Sequence, residues 1–539
     1  MQGTSSREAS TATQSFVPQY EIREKFSRAM SDMYKKEVPL YGDLLEIVRG
    51  INREFMEKHP GLEDELGSLD RVSEERHGAI RLGKPEELAT MARLFSVMGM
   101  VPVGYYDLSV ANLPVHSTAF RPVDRDELAR NPFRVFTSLL RMDLLDDETR
   151  RQAEASLRDR DIFTSGVREL IRIHENEGGL TPQQAGDFIR EALETFRWHS
   201  EARVSQDQYE TYLKTSSLLA DIASFKGPHI NHLTPRVLDI IALHEKMQEM
   251  GIETIPEVQG PPAGWPILLQ QTSFRALVEA TRFPDGTGGF VEGRHRARFG
   301  EIEQRHTALK PEGMEIYDRL TAKGKEQGTE LKKQGEDVYR ARYQEMLAGI
   351  FDEEFPAKTN EELRRQDLGY FTYELTEKGR TDTGALAEAR KAWSERPQAG
   401  NGSGKPGVKS VAGGSGDADE NVADENDADE NVAVGAGRHS GGDASTRNGS
   451  NVDRRTREIL ESLVSSGLVR AVPVTYEDFL PVSAAGIFKS NLDERSGLIE
   501  SGQSSNRALL EEALGKPVGD YHALYREQEE QSIRDILGG

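Results

Sequence analysis

Two histidines, His229 and His232, lie three residues apart in a constrained stretch of the chain, residues 225–236 (FKGPHINHLTPR). A Gly-Pro pair precedes them, and Pro235 follows at a position where it can begin a helix. Imidazoles held on a constrained turn are preoriented ligands, and a plain helix or strand requires no such combination of residues. The stretch therefore indicates a metal site, and the spacing leaves open which of the two histidines is the ligand.

A second candidate ligand lies near the beginning of the chain, in residues 73–81 (SEERHGAIR). Gly78 and the alternation that follows it favour an extended segment over a helix. On a strand every second side chain shares one face, so His77 and Arg81 would point the same way. We expect a metal ligand with a cationic neighbour, although a structural salt bridge is an equally good interpretation of Arg81.

Two carboxylates occur at alternate positions within residues 296–306 (RARFGEIEQRH). If this segment is extended, Glu301 and Glu303 fall on the same face of a strand. Two carboxylates on one face are costly to bury unless a metal or an arginine compensates their charge. The segment therefore offers a further ligand, and the spacing leaves Glu301 and Glu303 as alternatives.

Two imidazoles and one carboxylate on one face of a metal leave three adjacent coordination positions open, which suits non-haem Fe(II) oxygenases. A buried histidine is more often a satisfied core residue than a ligand, so each candidate also has a purely structural interpretation. The other histidines that compete for the role are His116, His199, His244 and His295.

The composition of the 539-residue chain limits both the metal and its setting. The sequence has no cysteine, which excludes disulfides and thiolate sites and leaves nitrogen and oxygen ligands. The formal charge of -23 argues against nucleic acid or an anionic membrane as a partner. No apolar run reaches the roughly 18 residues of a membrane span, and residues 1–15 lack the apolar core of a secretory signal. We therefore expect a cytoplasmic protein, with an organelle matrix as the alternative.

The elements that must position these residues are a mixture of helices and strands. Apolar periodicity predicts helices over residues 20–58, 85–99 and 235–250. Residues 101–108 and 115–122 are predicted to be two strands of a meander.

Composition divides the chain into four segments. Residues 1–18 are predicted to be a disordered leader and residues 19–395 the first part of a catalytic domain. Residues 396–452 are rich in Gly, Ser, Asn and Ala, and residues 417–430 within them carry eight carboxylates and no basic residue. Such a segment buries too little apolar surface to offset its ordering entropy, so we predict a disordered acidic insertion without a catalytic part. Residues 453–539 are predicted to complete the catalytic domain.

Seven long motifs of this chain are specific enough to compare with known families. They are residues 75–81 (ERHGAIR), 98–109 (MGMVPVGYYDLS), 115–122 (VHSTAFRP), 131–141 (NPFRVFTSLLR), 225–236 (FKGPHINHLTPR), 299–305 (FGEIEQR) and 476–488 (YEDFLPVSAAGIF). Together they resemble the 2-oxoadipate dioxygenase/decarboxylase family. The resemblance spans roughly residues 20–395 and 453–535 and leaves out the leader and the acidic insertion.

This resemblance implies an α+β fold, with a curved vicinal-oxygen-chelate-like β-sheet around a metal site and many helices outside it. It also implies that the chain converts 2-oxoadipate and O2 to 2-hydroxyglutarate and CO2, a late step in lysine breakdown, with Fe(II) as the cofactor. A 2-oxo acid can chelate Fe(II) through its keto oxygen and carboxylate and leave the third open position for O2.

The resemblance also implies roles for individual residues of this chain. Carried over motif by motif, the iron ligands would be His77, His232 and Glu301. His77 and Arg81 would also bind the substrate. Arg81 would bind a substrate carboxylate, because a guanidinium is a permanently charged, bidentate partner for that group. Val482 and Ser483 would line the substrate pocket.

Two other functions fit part of the same pattern. A metal-dependent isomerase or lyase of the vicinal-oxygen-chelate type would use zinc or another metal as a Lewis acid and would consume no O2. A non-enzymatic protein that binds 2-oxo acids would bind its ligand without turnover, even after the change His77→Ala. Oxygen uptake on addition of 2-oxoadipate with Fe(II) separates the dioxygenase from both.

Overall fold

The computed structural model describes residues 15–74, 76–395, 452–480 and 506–538. The predicted leader up to residue 14, the predicted acidic insertion up to residue 451, and both Val482 and Ser483 lie outside the described residues. The chain divides into two compact units, one within residues 1–372 and 471–532 and the other within residues 373–470 and 533–539. The side chains discussed below as site residues all belong to the first unit.

Helices account for most of the regular structure in the described residues. Those in the first half of the chain are α1 Gln19–Glu37, α2 Pro39–Lys58, α3 Leu62–Leu66, α4 Leu69–Glu74, α5 Pro85–Ser96, α6 Arg125–Arg130, α7 Asp147–Leu157, α8 Ser165–Glu177, α9 Pro182–Phe196, α10 Gln206–Thr215, α11 Ser217–Ser224 and α12 Ile240–Glu249. Those that follow are α13 Pro311–Gln334, α14 Glu336–Glu354, α15 Asn360–Arg365, α16 Glu377–Thr381, α17 Thr383–Ser394, α18 Arg454–Ser465, α19 Arg507–Leu514 and α20 Tyr521–Leu537.

Local sequence signals explain where several of these helices begin. Thr181 caps α9 by accepting a hydrogen bond from the backbone, and Pro182 occupies its first turn. Pro39 is the first residue of α2, without a side-chain cap, and it divides the predicted helix over residues 20–58 into α1 and α2. The division follows because a proline lacks the amide that an uninterrupted helix would need there.

The strands form one five-stranded sheet and three two-stranded pairs in the described residues. They are β1 Arg76–Leu82, β2 Val101–Asp107, β3 Val115–Arg121, β4 Arg134–Leu140, β5 His232–Pro235, β6 Leu269–Ser273, β7 Val278–Pro284, β8 Phe290–Arg296, β9 Glu301–Arg305, β10 Phe371–Leu375 and β11 Val469–Pro473. The large sheet has the order β2-β3-β4-β1-β5, and the pairs are β6–β9, β7–β8 and β10–β11. The predicted mixture of helices and strands is confirmed, including the extended segments around His77 and Glu301.

Strand β1 is the central element for the site. It lies between β4, to which it is parallel, and β5, to which it is antiparallel. All seven residues of β1 are buried, and the same is true of β3 and β4. In this register His77 lies opposite Arg134 on β4, and Ala79 lies opposite His232 on β5. The pairing therefore brings three distant parts of the chain to one place.

The prediction of a helix over residues 235–250 is wrong at its beginning. Pro235 is the last residue of β5, and α12 begins only at Ile240. Asp239 caps that helix by accepting a backbone hydrogen bond at 3.0 Å. Pairing of β5 with the buried strand β1 outweighs the tendency of Pro235 to begin a helix, because local propensity is a weak preference that tertiary contacts override.

The β6–β9 pair adjoins the end of β5. Arg236, directly after β5, forms a parallel bridge with Glu303 on β9. The amide of Val237 donates to the carbonyl of Glu303 at 2.8 Å. These contacts place β9 beside the strand that begins with His232.

The second unit contains α16, α17 and α18. Within it, the Thr376 hydroxyl donates to the carbonyl of Gly467 at 2.7 Å, and Arg470 pairs with Glu374 at 2.8 Å. Among the helices of the described residues, none combines the length and the apolar character that crossing a lipid bilayer requires.

Candidate metal centre

His77, His232 and Glu301 lie together in a buried group. The Nε2 atom of His77 is 3.1 Å from one carboxylate oxygen of Glu301, and the Nε2 atom of His232 is 3.4 Å from the other. The exposed fractions of the three side chains are 1%, 4% and 2%. One donor atom from each lies within 4.8 Å of the other two, so a single ion can contact all three.

Three strands position this group. His77 is the second residue of β1, His232 the first of β5 and Glu301 the first of β9. The two imidazole rings meet edge to face, with their centroids 5.6 Å apart. Gly78 permits the close approach of the turn before β5, because a Cβ there would lie 2.7 Å from the side chain of Ile230.

Glu303 lies behind His77 and outside this group. Its Oε2 atom is 2.8 Å from Nδ1 of His77, the ring nitrogen on the side away from Glu301. Arg305 donates to the other carboxylate oxygen of Glu303 at 2.9 Å, and a terminal nitrogen of Arg134 is 3.8 Å from that same oxygen. Burial by itself raises the pKa of Glu303, but Arg305, His77 and Arg134 outweigh it and hold the pKa well below its usual value. Glu303 is therefore an ionised carboxylate that orients the His77 ring, as carboxylate partners do for metal-bound histidines.

The protonation states of the group suit a set of metal ligands. Burial lowers the pKa of His232 to about 4, so this ring is neutral near pH 7. Burial raises the pKa of Glu301, but His232 and His77 outweigh it and keep the carboxyl ionised. For His77, burial lowers the pKa, whereas Glu303 and Glu301 outweigh it and raise the pKa. A bound cation would take the place of the proton that the two carboxylates otherwise draw onto His77.

An amide and two aromatic rings also adjoin the group. Gln271, on β6, donates from Nε2 to Glu301 at 2.5 Å. The ring of Phe299 lies 4.7 Å from the His232 ring, and the ring of Phe479 lies 4.9 Å from the His77 ring. Such walls exclude water and strengthen electrostatic interactions inside the site. No local sequence pattern marks Gln271, and Phe479 lies within the motif of residues 476–488 without any feature that distinguishes it there.

Arg81 lies on the same strand as His77 but is not one of the three donors. One of its terminal nitrogens is 2.6 Å from Asp221 on α11, and the two side chains expose 2% and 3% of their surface. The salt bridge that the sequence left as an alternative for Arg81 is therefore present. A guanidinium carries five N–H donors, so it has the capacity to bind a substrate carboxylate as well as Asp221.

Asp221, His229 and His295 form a second buried group, again of two histidines and one carboxylate. One oxygen of Asp221 is 3.3 Å from Nε2 of His229 and 3.0 Å from Nε2 of His295. The structure thus places His229 with Asp221, while His232 lies with Glu301. The backbone φ of His229 is 21°, an uncommon positive value for a residue other than glycine.

A signal for Asp221 is present in the sequence. Helix α11 (SLLADIAS) is apolar, and all eight of its residues are buried, so its one carboxylate requires a buried partner. Of the other competing histidines, His244 is 2.7 Å from the Thr272 hydroxyl, and the His116 ring lies 6.0 Å from that of Tyr105. Neither belongs to a group of possible metal ligands in the described residues.

Comparison with known proteins identifies one family model and several relatives that match this chain. A model of the 2-oxoadipate dioxygenase/decarboxylase family matches residues 26–399 and 441–491. A relative of that name from Escherichia coli (strain K12) is 43% identical over 521 residues, which are 95% of this chain and 97% of the relative. One from Pseudomonas putida is 43% identical over 526 residues, 96% of this chain and 97% of the relative.

A solved structure is similar over nearly the same length. The crystal structure of the hydroxyglutarate synthase from Pseudomonas putida in complex with 2-oxoadipate is 42% identical to this chain, with a TM-score of 0.74. The similarity covers 97% of this chain and 98% of that chain. The resemblance carried by the seven sequence motifs is therefore confirmed.

Proposed function

The chain belongs to the 2-oxoadipate dioxygenase/decarboxylase family, and from this premise we propose that it converts 2-oxoadipate and O2 to 2-hydroxyglutarate and CO2. The observation that carries the proposal is a buried group of two histidines and one glutamate, in a chain similar over 97% of its length to a hydroxyglutarate synthase. The reaction balances without a further co-reactant, because both atoms of O2 end in the products.

We further propose that His77, His232 and Glu301 bind Fe(II). Their nitrogen and oxygen donors suit this ion, and the sequence has no cysteine that would favour a thiolate site. When bound there, Fe(II) supplies adjacent positions for a 2-oxo acid and O2, together with the electrons that O2 chemistry requires. Glu303 and Gln271 hold the His77 ring and the Glu301 carboxylate in place.

Arg81 binds the remote carboxylate of 2-oxoadipate in this proposal. It is four residues from His77 on β1, and four residues along a strand span roughly 13 Å. A six-carbon acid chelated at one end and an arginine side chain at the other can together bridge that distance. The guanidinium would fix both the length and the orientation of the substrate. Val482 and Ser483, outside the described residues, are proposed to line the same pocket.

The proposal extends to the sheet that carries the site. The five-stranded sheet supplies His77 and His232, and the β6–β9 pair supplies Glu301. The bridge between Arg236 and Glu303 supports treating the two as one continuous, curved surface around the metal, as the vicinal-oxygen-chelate-like fold requires.

Anaerobic purification followed by metal analysis and an isotope experiment tests this function. We expect one iron per chain and, on addition of 2-oxoadipate and ¹⁸O2, equal amounts of O2 consumed and CO2 released. The 2-hydroxyglutarate should carry one labelled oxygen in its hydroxyl and one in a carboxylate. Product without O2 uptake would indicate an isomerase or lyase. Binding without turnover that survives His77→Ala would indicate a binding protein.

A further inference from the structure

A series of polar contacts runs from the Arg81 guanidinium into the protein through Asp221. Arg81 donates to Oδ2 of Asp221 at 2.6 Å, and the side-chain amide of Asn231 donates to the same oxygen at 3.4 Å. The other oxygen of Asp221 is 3.0 Å from Nε2 of His295. The second ring nitrogen of His295 is in turn 3.0 Å from the hydroxyl of Tyr209. Arg81 has a role in the proposed reaction, but the other residues of this arrangement have none so far.

The members of this arrangement are held firmly in place. Asp221 projects from α11, whose eight residues are all buried. The ring of Trp198 lies nearly parallel to that of His295, with an interplanar angle of 7° and centroids 5.8 Å apart. A buried guanidinium requires a fixed counter-charge, and Asp221 supplies one from a rigid helix. Arg81 is therefore restricted in orientation as well as compensated in charge.

The same residues also resemble a second metal site, because Asp221, His229 and His295 place donor atoms within 4.8 Å of one another. One contact favours a different interpretation. The carboxylate of Asp221 is already paired with Arg81, so a dication bound to it would lie close to a guanidinium of like charge. The Arg81 guanidinium supplies the positive charge that a metal ion would otherwise supply to Asp221.

We propose that Asp221 is a positioning residue that fixes the Arg81 guanidinium for the remote carboxylate, so that the enzyme selects 2-oxo acids with a second carboxylate. This inference rests on the proposed function. The five N–H donors of a guanidinium are enough for two carboxylates, and a guanidinium that is held in advance loses little side-chain entropy when the substrate binds. Without Asp221, Arg81 would lose this orientation, and only an acid with a remote carboxylate would bind less tightly.

The variant Asp221→Asn tests the inference, because it keeps the size of the side chain and removes its charge. Calorimetry under anaerobic conditions, on the metal-loaded protein, compares 2-oxoadipate with 2-oxohexanoate, which has the same length and no second carboxylate. We expect 2-oxoadipate to bind about tenfold more weakly or worse, which corresponds to the loss of about one hydrogen bond to a charged group. Binding of 2-oxohexanoate should change less than about twofold, and the metal content should not change.

Glu529→Gln is the matched control. Glu529 forms a similar buried ion pair with Lys310, at 2.8 Å, in which neither Arg81 nor Asp221 takes part. This control should leave both affinities within about twofold. In a chain that already carries Arg81→Ala, the change Asp221→Asn should add no further weakening if Asp221 acts through Arg81.

A second variant covers the case in which Asp221→Asn does not fold. His295→Phe retains the carboxylate and removes one contact that holds it, so it should weaken 2-oxoadipate selectively, by about threefold. Equal weakening of both acids, or no weakening of 2-oxoadipate, would overturn the inference. Loss of one bound metal in Asp221→Asn would overturn it in favour of a second metal site. Failure of the unaltered protein to bind 2-oxoadipate would overturn the proposed function itself.

Discussion

Two buried groups of this protein each consist of two histidines and one carboxylate, and they differ in what surrounds them. The first group is His77, His232 and Glu301, and the second group is Asp221, His229 and His295. The carboxylate of the first group receives a hydrogen bond from the neutral amide of Gln271. The carboxylate of the second group pairs with the guanidinium of Arg81.

The histidines of the two groups are also held differently. In the first group, the second ring nitrogen of His77 faces the carboxylate of Glu303. In the second group, the corresponding nitrogen of His295 faces the hydroxyl of Tyr209. Donor types and spacing define a possible metal site, but the charges outside the donors decide whether a cation is needed there. Among the residues that the structure describes, no guanidinium pairs with the donor carboxylate of the first group, whereas Arg81 pairs with that of the second.

The largest expected effect is on iron binding, and it comes from replacing a histidine of the first group but not one of the second. His232→Ala should remove the bound iron, and activity should fall about a thousandfold or more, because the metal supplies several kcal/mol of transition-state stabilisation. His229→Ala, the matched change in the second group, should retain the iron. Metal analysis and oxygen uptake on both variants provide the measurement. Iron retained in His232→Ala and lost in His229→Ala would exchange the roles assigned to the groups.

The next largest effect is a difference in iron affinity between variants of the two glutamates of β9. Glu301→Gln should abolish iron binding, because it replaces a charged ligand by a neutral one. Glu303→Gln should leave the iron bound but weaken its affinity by about tenfold to a hundredfold, as loss of a partner behind a ligating histidine typically does. Titration of the metal-free variants with Fe(II) under anaerobic conditions measures both. Equal losses of affinity would contradict the distinction between ligand and supporting residue.

Arg81→Ala should have a smaller effect, because Arg81 is expected to touch the substrate and not the metal. We expect unchanged iron content and a KM for 2-oxoadipate raised about a hundredfold, since truncating one partner of a buried charge pair costs a few kcal/mol. Steady-state kinetics together with metal analysis provide the measurement. Loss of the iron in this variant would show that the second group supports the first structurally.

The smallest expected effect is a pH dependence of the free energy of unfolding, measured with no cation bound to the first group. Burial lowers the pKa of His232 to about 4 in the folded chain, whereas the unfolded chain keeps a value near 6.5. Between these values the unfolded chain binds a proton that the folded chain does not. The free energy of unfolding should therefore fall as the pH is lowered from about 6.5 to about 4, by at most about 1.4 kcal/mol per pH unit from this residue.

Thermal unfolding in the presence of a chelator measures this dependence. The midpoint should vary less steeply with pH in His232→Gln than in the unaltered protein. His116, whose pKa is also lowered to about 4 by burial and by Arg141, contributes in the same direction and remains in both proteins. Equal slopes would show that His232 does not carry this part of the pH dependence.

Some local structure around the site could be predicted from the sequence. The extended conformation near His77 and near Glu301 follows from alternation, a pattern that reports directly on strands. The predicted helix from Pro235 was wrong, because pairing with β1 decided the conformation of a segment whose local preference was different. The leader, the acidic insertion and the assignments of Val482 and Ser483 remain predictions, since they fall outside the described residues or their roles were not tested.

Other features of the site had no local signal. Gln271 meets Glu301 only because β6 pairs with β9, thirty positions along the chain, and Asp221 meets Arg81 across 140 positions. The choice between His229 and His232 depends on the register of β5 against β1. A three-residue spacing contains no information about that register.

The sequence by itself determined the family and the donor chemistry, because long motifs and the absence of cysteine are properties of the residue string. Only the tertiary structure decided that these donors form two groups of two histidines and one carboxylate each, one beside Glu303 and one beside Arg81. The physical reason is that the charge around a buried side chain comes from residues brought close by strand pairing, which lie far from it along the chain.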